Sequence, residues 1–355
     1  MKLLIVSDAW YPQVNGVVRT YEYIGAEMEK KGHEVRVIGP ADFPLRIPMP
    51  GYSEIKLTLA PYRRLKKMIE DFGPDNIHIA VEGPLGWATR RYCIKYGRSF
   101  TSAYHTQFPD YLAKRVAGRI RPLYRFAHNA AKAMMRHFHA PASILMVATP
   151  SLEEALRAWG FTAPMQRLTR GATLDLFYPG EKTVFANLKR PVALYVGRVA
   201  IEKSIEDFLA MDWPGSKVVV GDGPSLESLK KKYPQAIFTG KKTGADLAAH
   251  YRSADVFVFP SRTDTFGIVL IEALACGLPV AAYNAIGPRD IITEPFLGTL
   301  HEHDLALAAR HALNTGTPQE RAAFVRALYT WENAASQFEA ALIAENSAQK
   351  QTRSA

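Results

Sequence analysis

The sequence predicts an α/β protein made of two doubly wound, Rossmann-like domains facing each other across a cleft, and three observations carry that expectation. The chain has 355 residues, about twice the usual single-domain length. Short apolar, β-branched-rich runs recur through both halves and close on Gly, Pro, Ser or Asp, as strands buried on both faces of a parallel sheet do. Stretches of helical length separate these runs, which gives strand–helix–strand order throughout.

In the first half the strand runs are Leu3–Val6, Val35–Ile38, Ile77–Val81, Thr101–Tyr104 and Ile144–Ala148. In the second half they are Val192–Val196, Val218–Val220, Ile237–Phe238, Val256–Phe259 and Val280–Ala282. Arg19–Lys31, Tyr62–Phe72 and Ser225–Lys232 read as helices between them. The stretch Leu174–Arg190, with Pro179, Gly180 and mixed charge, is the expected seam. From Gln319 to about Ala344 the chain reads as one Ala-rich helix anchored by Phe324, Trp331 and Phe338. The expected units are a first domain over 1–175, a second over 176–320, a helix over 321–345 packing back toward the first domain, and a frayed polar tail over 346–355.

Apolar residues at 48% and charged residues at 22% fit a protein with a packed core and exclude a disordered or fibrous chain. The net charge of +10 is one-sided. Residues 1–170 hold 25 Lys and Arg against 14 Asp and Glu, whereas residues 171–355 hold 19 against 20. The positive field therefore belongs to the first domain. Two cysteines, Cys93 and Cys276, make no disulfide framework and suit a reducing compartment. Leu3–Val6 is too short for a signal peptide, and no apolar run is long enough to span a bilayer. The expectation is a cytoplasmic protein, soluble or peripheral on the inner face of the cell membrane.

In such domains ligands bind at the carboxyl ends of the strands, so the cleft is where chemistry should gather. The first strand leads into Asp8-Ala9-Trp10-Tyr11-Pro12-Gln13-Val14-Asn15-Gly16-Val17, a Pro- and Gly-bearing loop that enters a helix. Amides at such a helix start are donors to phosphate or sugar oxygens. Thr101–Tyr104 runs into His105, placed to hydrogen-bond a substrate hydroxyl or act as a base. In the second half Gly197-Arg198 closes a strand and Lys203 follows, two cations suited to a diphosphate. Gly221-Asp222-Gly223-Pro224 is a tight turn after the next strand.

The most specific segment runs from Phe259 to Pro279, where a strand, a Gly-bearing loop and an apolar helix end in Gly-Leu-Pro. Asp264 and Glu272 are its carboxylates. Glu272 sits in an otherwise apolar helix, where a carboxylate needs a partner, and adjacent ribose hydroxyls would serve. The amides of Thr265, Phe266, Gly267 and Ile268 suit phosphate oxygens.

This segment resembles the E-x7-E motif of the retaining glycosyltransferases of family 4, which have the GT-B fold. The likeness extends over nearly the whole chain, through the Gly16 loop, Tyr104-His105-Thr106, Gly197-Arg198 with Glu202-Lys203, the Gly-Asp-Gly-Pro turn and the Trp331 helix. Within the family the chain is most similar to bacterial and plastid diacylglycerol glycosyltransferases and sulfoquinovosyltransferases, and to the related mannosyltransferases of phosphatidylinositol. Two departures stand out: Asp264 replaces the first Glu, and Arg170-Gly171-Ala172-Thr173 replaces Arg-Gly-Val-Asp. The resemblance implies that Arg198 and Lys203 neutralise the leaving diphosphate. It implies that Gly16, Val17, Gly197 and Gly223 contact the donor through the backbone. Asp264 and the amides after it would hold the hexose, Glu272 the ribose, and His105 would orient the hexose. No Asp-x-Asp pair occurs in the chain, so a metal bridging the diphosphate is not expected; the nucleoside-diphosphate sugar is the expected co-substrate, with no cofactor.

Between Tyr111 and Leu152 there is no acidic residue, while Lys114, Arg115, Arg119, Arg121 and Arg125 are interleaved with large apolar side chains. Together with Arg63 and Arg64, this reads as a surface that meets an anionic bilayer and a lipid acceptor. The expected reaction moves a hexosyl unit from UDP-glucose, UDP-galactose or UDP-glucuronate to a membrane lipid, with diacylglycerol first. A GDP-mannose-dependent transfer to phosphatidylinositol or a soluble saccharide is the alternative. A nucleotide-sugar sensor without turnover is a second class, and a nucleic-acid binder a third; no zinc spacing, RNP-like strand or recognition helix supports the last.

Overall fold

The computed structural model describes residues 1–13, 15–49, 52–105 and 121–354, and the side chains of 49, 52–55, 121–124 and 349–354 lie outside that description. The chain forms two compact units, Met1–Thr169 with Trp331–Ala355, and Arg170–Thr330.

In the first unit the strands are β1 (Lys2–Val6), β2 (Glu34–Ile38), β3 (Arg46–Met49), β4 (Tyr52–Thr58), β5 (Asn76–Ile79), β6 (Thr101–Tyr104), β7 (Ile144–Val147) and β8 (Met165–Arg167). Six of them form a parallel sheet in the order β2-β1-β5-β6-β7-β8. The helices are α1 (Gly16–Lys30), α2 (Tyr62–Phe72), α3 (Pro84–Lys95), α4 (Arg121–His139) and α5 (Pro150–Ala158). β5, β6 and β7 are buried throughout and β1 from Leu3 to Val6, because both faces of the sheet are covered. One core layer joins Leu4, Val6, Ile77 and Ile79 to Leu65 and Ile69 of α2 and Leu85 of α3.

In the second unit the strands are β9 (Ala193–Val196), β10 (Lys217–Val220), β11 (Ile237–Gly240), β12 (Val256–Phe259), β13 (Val280–Tyr283) and β14 (Gly298–His301). They form a parallel sheet in the order β11-β10-β9-β12-β13-β14, the dinucleotide-fold order. Its helices are α6 (Ile205–Ala210), α7 (Leu226–Lys232), α8 (Gly244–Ser253), α9 (Ile268–Ala275), α10 (Pro288–Ile291), α11 (Leu305–Ala312) and α12 (Pro318–Leu328). Strand order reverses at β1 in the first unit and at β9 in the second, and such reversals open the crevices where ligands bind.

The structure departs from the expected boundaries at the C-terminus. The helix expected from Gln319 to about Ala344 is broken at Tyr329-Thr330, and α12 belongs to the second unit. The segment after the break, α13 (Trp331–Ser354), belongs to the first. Trp331 stacks on Tyr23 of α1 at 4.6 Å. Glu345 accepts from Asn76 at 2.9 Å and from Ser143 at 2.8 Å. The expected frayed tail is helical through Ser354, since Asn346 donates to Asn76 at 3.0 Å. The first seam falls at Thr169/Arg170 instead of 175/176.

Asp8, just beyond β1, caps α3: its carboxylate accepts from the amides of Leu85 at 3.0 Å and Gly86 at 3.1 Å. Burial pushes its carboxyl from 3.8 up to about 7, against the pull of those amides. Between these values the folded chain holds a proton that the unfolded chain releases, so this group's contribution to stability falls as pH rises from 3.8 to about 7. Urea midpoints of wild type relative to Asp8→Asn should therefore decline across that interval. A pH-independent difference would show that Asp8 is ionised throughout.

Candidate functional site

In the second unit the chemistry-bearing residues gather on the two loops flanking the strand reversal. After β9 the chain passes Gly197 and Arg198 and closes a single 3-10 turn, Ile201–Lys203. After β12 it reaches Asp264. Lys203 Nζ lies 2.5 Å from Asp264 Oδ1. Thr263 Oγ1 donates to the Glu202 carbonyl at 3.2 Å and ties the two loops a second time. The other Asp264 oxygen, Oδ2, is buried and has no hydrogen-bond partner among the described residues. A buried carboxylate oxygen left so costs on the order of 1–3 kcal/mol or more, which a ligand hydroxyl would recover.

The arginine loop is held from behind. Tyr195 Oη donates to the Arg198 carbonyl at 2.7 Å. Burial, and then the nearby Asp264 and Glu202, hold that phenol well above its ordinary pKa, so it stays a donor. Val199 donates to the Asp222 carbonyl at 2.9 Å, and Ser225 donates to that of Val199 at 3.0 Å. A Cβ on Gly223 would stand 2.4 Å from the Val199 oxygen. The Gly-Asp-Gly-Pro turn thus braces the loop that carries Arg198.

Thr265 and Phe266 are buried, and the Phe266 ring packs edge-on against Tyr329 at 5.7 Å. Gly267 caps α9 with φ +95°. Glu272 on α9 is 3% exposed, and its Oε2 accepts from Tyr251 Oη at 2.9 Å. Gly287, which the sequence reading passed over, lies under this loop. Its φ is +91°, and a Cβ there would meet the carbonyls of Phe266 at 2.8 Å and Asp264 at 2.9 Å. A glycine before proline (Ile286-Gly287-Pro288) was the available signal, and it reads as an ordinary turn.

In the first unit Gly16 opens α1, and Asn15 caps it: Asn15 Oδ1 accepts from the amides of Val17 at 2.9 Å and Val18 at 3.1 Å. The Val17 amide expected to meet the donor is thus engaged within the fold. His105 follows β6, half-buried, with Nε2 2.8 Å from Tyr21 Oη. Among the described residues no three His, Cys, Asp or Glu side chains gather as a metal site would require. Cys93 and Cys276 are buried free thiols, pushed by burial to about 12.

On the surface of the first unit Arg63 and Arg64 are exposed on α2, whose Leu65 and Ile69 face the core. Arg125 and Phe126 are exposed on α4, Phe126 to 73%. Lys132 lies 4.3 Å over the Trp159 ring, so it packs on its own unit. Lys114, Arg115 and Arg119 lie outside the described residues, and Arg121 opens α4 with its side chain undescribed. Among the described residues no helix is long and apolar enough to cross a membrane.

A family model described as Glycosyltransferase Family 4 matches residues 14–176, and one described as Glycosyl transferases group 1 matches residues 181–327. A GDP-mannose-dependent alpha-mannosyltransferase of Mycobacterium tuberculosis (strain CDC 1551 / Oshkosh) is 30% identical over 88% of this chain and 88% of its own. An alpha-monoglucosyldiacylglycerol synthase of Streptococcus pneumoniae (strain ATCC BAA-255 / R6) is 28% identical over 88% of this chain and 78% of its own. Among solved structures, sucrose-phosphate synthase from Thermosynechococcus elongatus superposes with a TM-score of 0.77 at 22% identity, covering 95% of this chain and 97% of that one. That likeness is one of fold.

Proposed function

Because the chain belongs to the group 1, family 4 glycosyltransferases and has their GT-B fold, we propose that it moves a hexosyl unit from a nucleoside-diphosphate sugar to a membrane lipid, diacylglycerol first, with retention at the anomeric carbon. The observation that carries the donor half is the Lys203–Asp264 pair with the unmet Asp264 Oδ2 beside it. An ammonium has three donors. One meets Asp264, which leaves two for diphosphate oxygens, while Arg198 offers its guanidinium fork. As the glycosidic bond to the leaving diphosphate breaks, negative charge develops next to these cations, where stabilisation counts most. Asp264 Oδ2 accepts a hexose hydroxyl and Glu272 the ribose hydroxyls. The two cations do the neutralising, with no metal.

The acceptor half is supported by exposed Arg63, Arg64, Arg125 and Phe126 in the basic first unit, and by the name of the streptococcal relative. The mycobacterial relative favours GDP-mannose as a second donor. Purified protein is offered UDP-glucose, UDP-galactose, UDP-glucuronate and GDP-mannose separately, on anionic vesicles containing diacylglycerol, with EDTA present. Mass spectrometry identifies a glycolipid, and the anomeric coupling constant gives its configuration. A product of inverted configuration, or turnover only without EDTA, overturns those parts of the reading. Vesicle binding without product points to another lipid such as phosphatidylinositol, and neither binding nor product points to a soluble acceptor. Nucleotide-sugar binding with no turnover on any acceptor leaves a sensor.

The membrane face has its own check. Arg63→Ala with Arg64→Ala should weaken binding to anionic vesicles by about 2 kcal/mol, roughly thirtyfold, at one cation's worth each. Unchanged binding would place the contact elsewhere on the first unit.

A further inference from the structure

At the carboxyl ends of β1 and β5 the first unit carries a carboxylate that the proposed donor contacts do not use. The sheet order runs β2-β1-β5, so the winding reverses between β1 and β5, and the loops after these two strands flank the point where a doubly wound sheet takes its ligand. The loop after β1 bears Asp8, and the loop after β5 bears Glu82. The two loops pack together: a Cβ on Gly83 would stand 2.3 Å from the Asp8 carboxyl carbon. Glu82 is near enough for its charge to add to burial in raising the Asp8 carboxyl. Asp8 itself is buried and engaged by the α3 amides, so Glu82 is the member of the pair that is open to a ligand.

One oxygen of Glu82 is held and the other is not. Oε1 lies 3.0 Å from Nε2 of His139, the last residue of α4. His139 is fully buried, and its Nδ1 lies 2.9 Å from the Oγ of Ser102, equally buried on β6. Phe138 stands edge-on to the imidazole with ring centroids 4.9 Å apart, and Phe161 closes another side at 6.0 Å. The ring is therefore fixed, and it fixes the carboxylate. The second oxygen, Oε2, takes no hydrogen bond or ion pair among the described residues, and it is not one of the buried polar atoms left without a partner. With 17% of the side chain exposed, Oε2 stands at the surface.

A carboxylate can only accept, so it takes O–H or N–H donors and disfavours phosphate oxygens. In the proposed reaction the hexose and ribose hydroxyls are met by Asp264 and Glu272 of the second unit. The hydroxyl still to be oriented is the acceptor's, and the basic surface of the first unit draws an anionic bilayer without orienting a neutral alcohol. We infer that Glu82 Oε2 accepts a hydrogen bond from the free glyceryl hydroxyl of the lipid acceptor, and that His139 and Ser102 are positioning residues that hold the carboxylate for it. The identity of the acceptor rests on the transferase reading above; the held carboxylate is a property of the first unit.

The test titrates dihexanoylglycerol, a soluble diacylglycerol, into the full chain by calorimetry without sugar nucleotide, and then uses it as the acceptor at saturating sugar nucleotide. Glu82→Gln keeps the side chain's size and removes its charge. It should weaken dihexanoylglycerol binding and raise the acceptor KM by on the order of tenfold, as loss of a hydrogen bond to a charged group does, with the affinity for sugar nucleotide unchanged. Equal dihexanoylglycerol affinity in wild type and variant, no binding to the wild type, or an equal loss toward the sugar nucleotide overturns the inference. His139→Gln should reproduce part of the acceptor loss and add little in a Glu82→Gln background, whereas additive losses overturn its positioning role. If Glu82→Gln does not fold, Glu82→Asp keeps the charge, draws the carboxylate back by one carbon–carbon bond, and must show the same split between acceptor and sugar nucleotide. A wild type that binds dihexanoylglycerol through Glu82 and transfers no sugar overturns the transferase reading and leaves the site standing.

Discussion

Lys203→Ala lowers kcat by about 10²–10³-fold, with a much smaller rise in donor KM, when turnover is followed with the sugar nucleotide that the protein uses. The asymmetry follows from where Lys203 sits. Its ammonium is paired at 2.5 Å with Asp264, which orients it. In the proposed roles the Arg198 fork also meets the ground-state diphosphate, whereas the additional charge that appears on bond cleavage requires both cations. Arg198→Ala should produce a loss of the same order, and the double variant less than the product of the two, because the pair acts on one leaving group. Stability is the control. Lys203 and Asp264 are 28% and 20% exposed, so loss of the pair costs roughly 1 kcal/mol and the fold persists. Near-normal turnover in Lys203→Ala would make the pair a loop tie and nothing more.

Most strands were legible because they are short apolar or β-branched runs, buried in the central strands and only partly so at the edges β2 and β11, and all ten expected runs fall on strands of the two sheets. What escaped notice has weaker signals for physical reasons. β8 and β14 are sheet edges, only partly buried, and Met165-Gln166-Arg167 and Gly298-Thr299-Leu300-His301 carry no apolar run. β3 and β4 pair only with each other and bear Arg46, Pro48 and Lys56 along the ladder. At the break between α12 and α13 there is no Gly or Pro. The Tyr329 ring, set against Phe266 and Phe324, and its carbonyl, which accepts from Ala172 at 2.9 Å, hold the chain out of the helix. Tertiary packing decides that turn, and no local reading finds it.

The site divides in the same way. Arg198, Lys203, Asp264 and Glu272 stand out in sequence because charge at a strand end or in an apolar helix is unusual. Their supports do not: Tyr195 and Tyr251 look like core aromatics until the atom at the ring's tip is followed to its partner. Asp8 reads as a strand terminator, yet its carboxylate is the cap of a helix more than seventy residues away.

Gly287→Ala is expected to damage the Asp264 loop more than Gly267→Ala does. The Gly287 φ of +91° with ψ of −75° is a conformation that side chains rarely adopt, and forcing it costs about 1–3 kcal/mol. The methyl would also stand 2.8 Å from the Phe266 carbonyl and 2.9 Å from that of Asp264, and backbone atoms cannot turn aside as a side chain does. Gly267 supplies the contrast. Its φ is nearly the same at +95°, but the nearest atom to an added Cβ is the end of the Leu270 side chain at 3.0 Å. Gly267→Ala therefore bears mainly the dihedral strain, while Gly287→Ala must also move the loop that holds Asp264. A shift of about 1 Å in a positioning group can cost on the order of a hundredfold in rate. Thermal melts should rank Gly287→Ala below Gly267→Ala, and kcat should fall further in Gly287→Ala than its stability loss alone explains at temperatures where both variants are folded. Equal melting temperatures and equal rates would mean that the Asp264 loop is not held from below by Gly287.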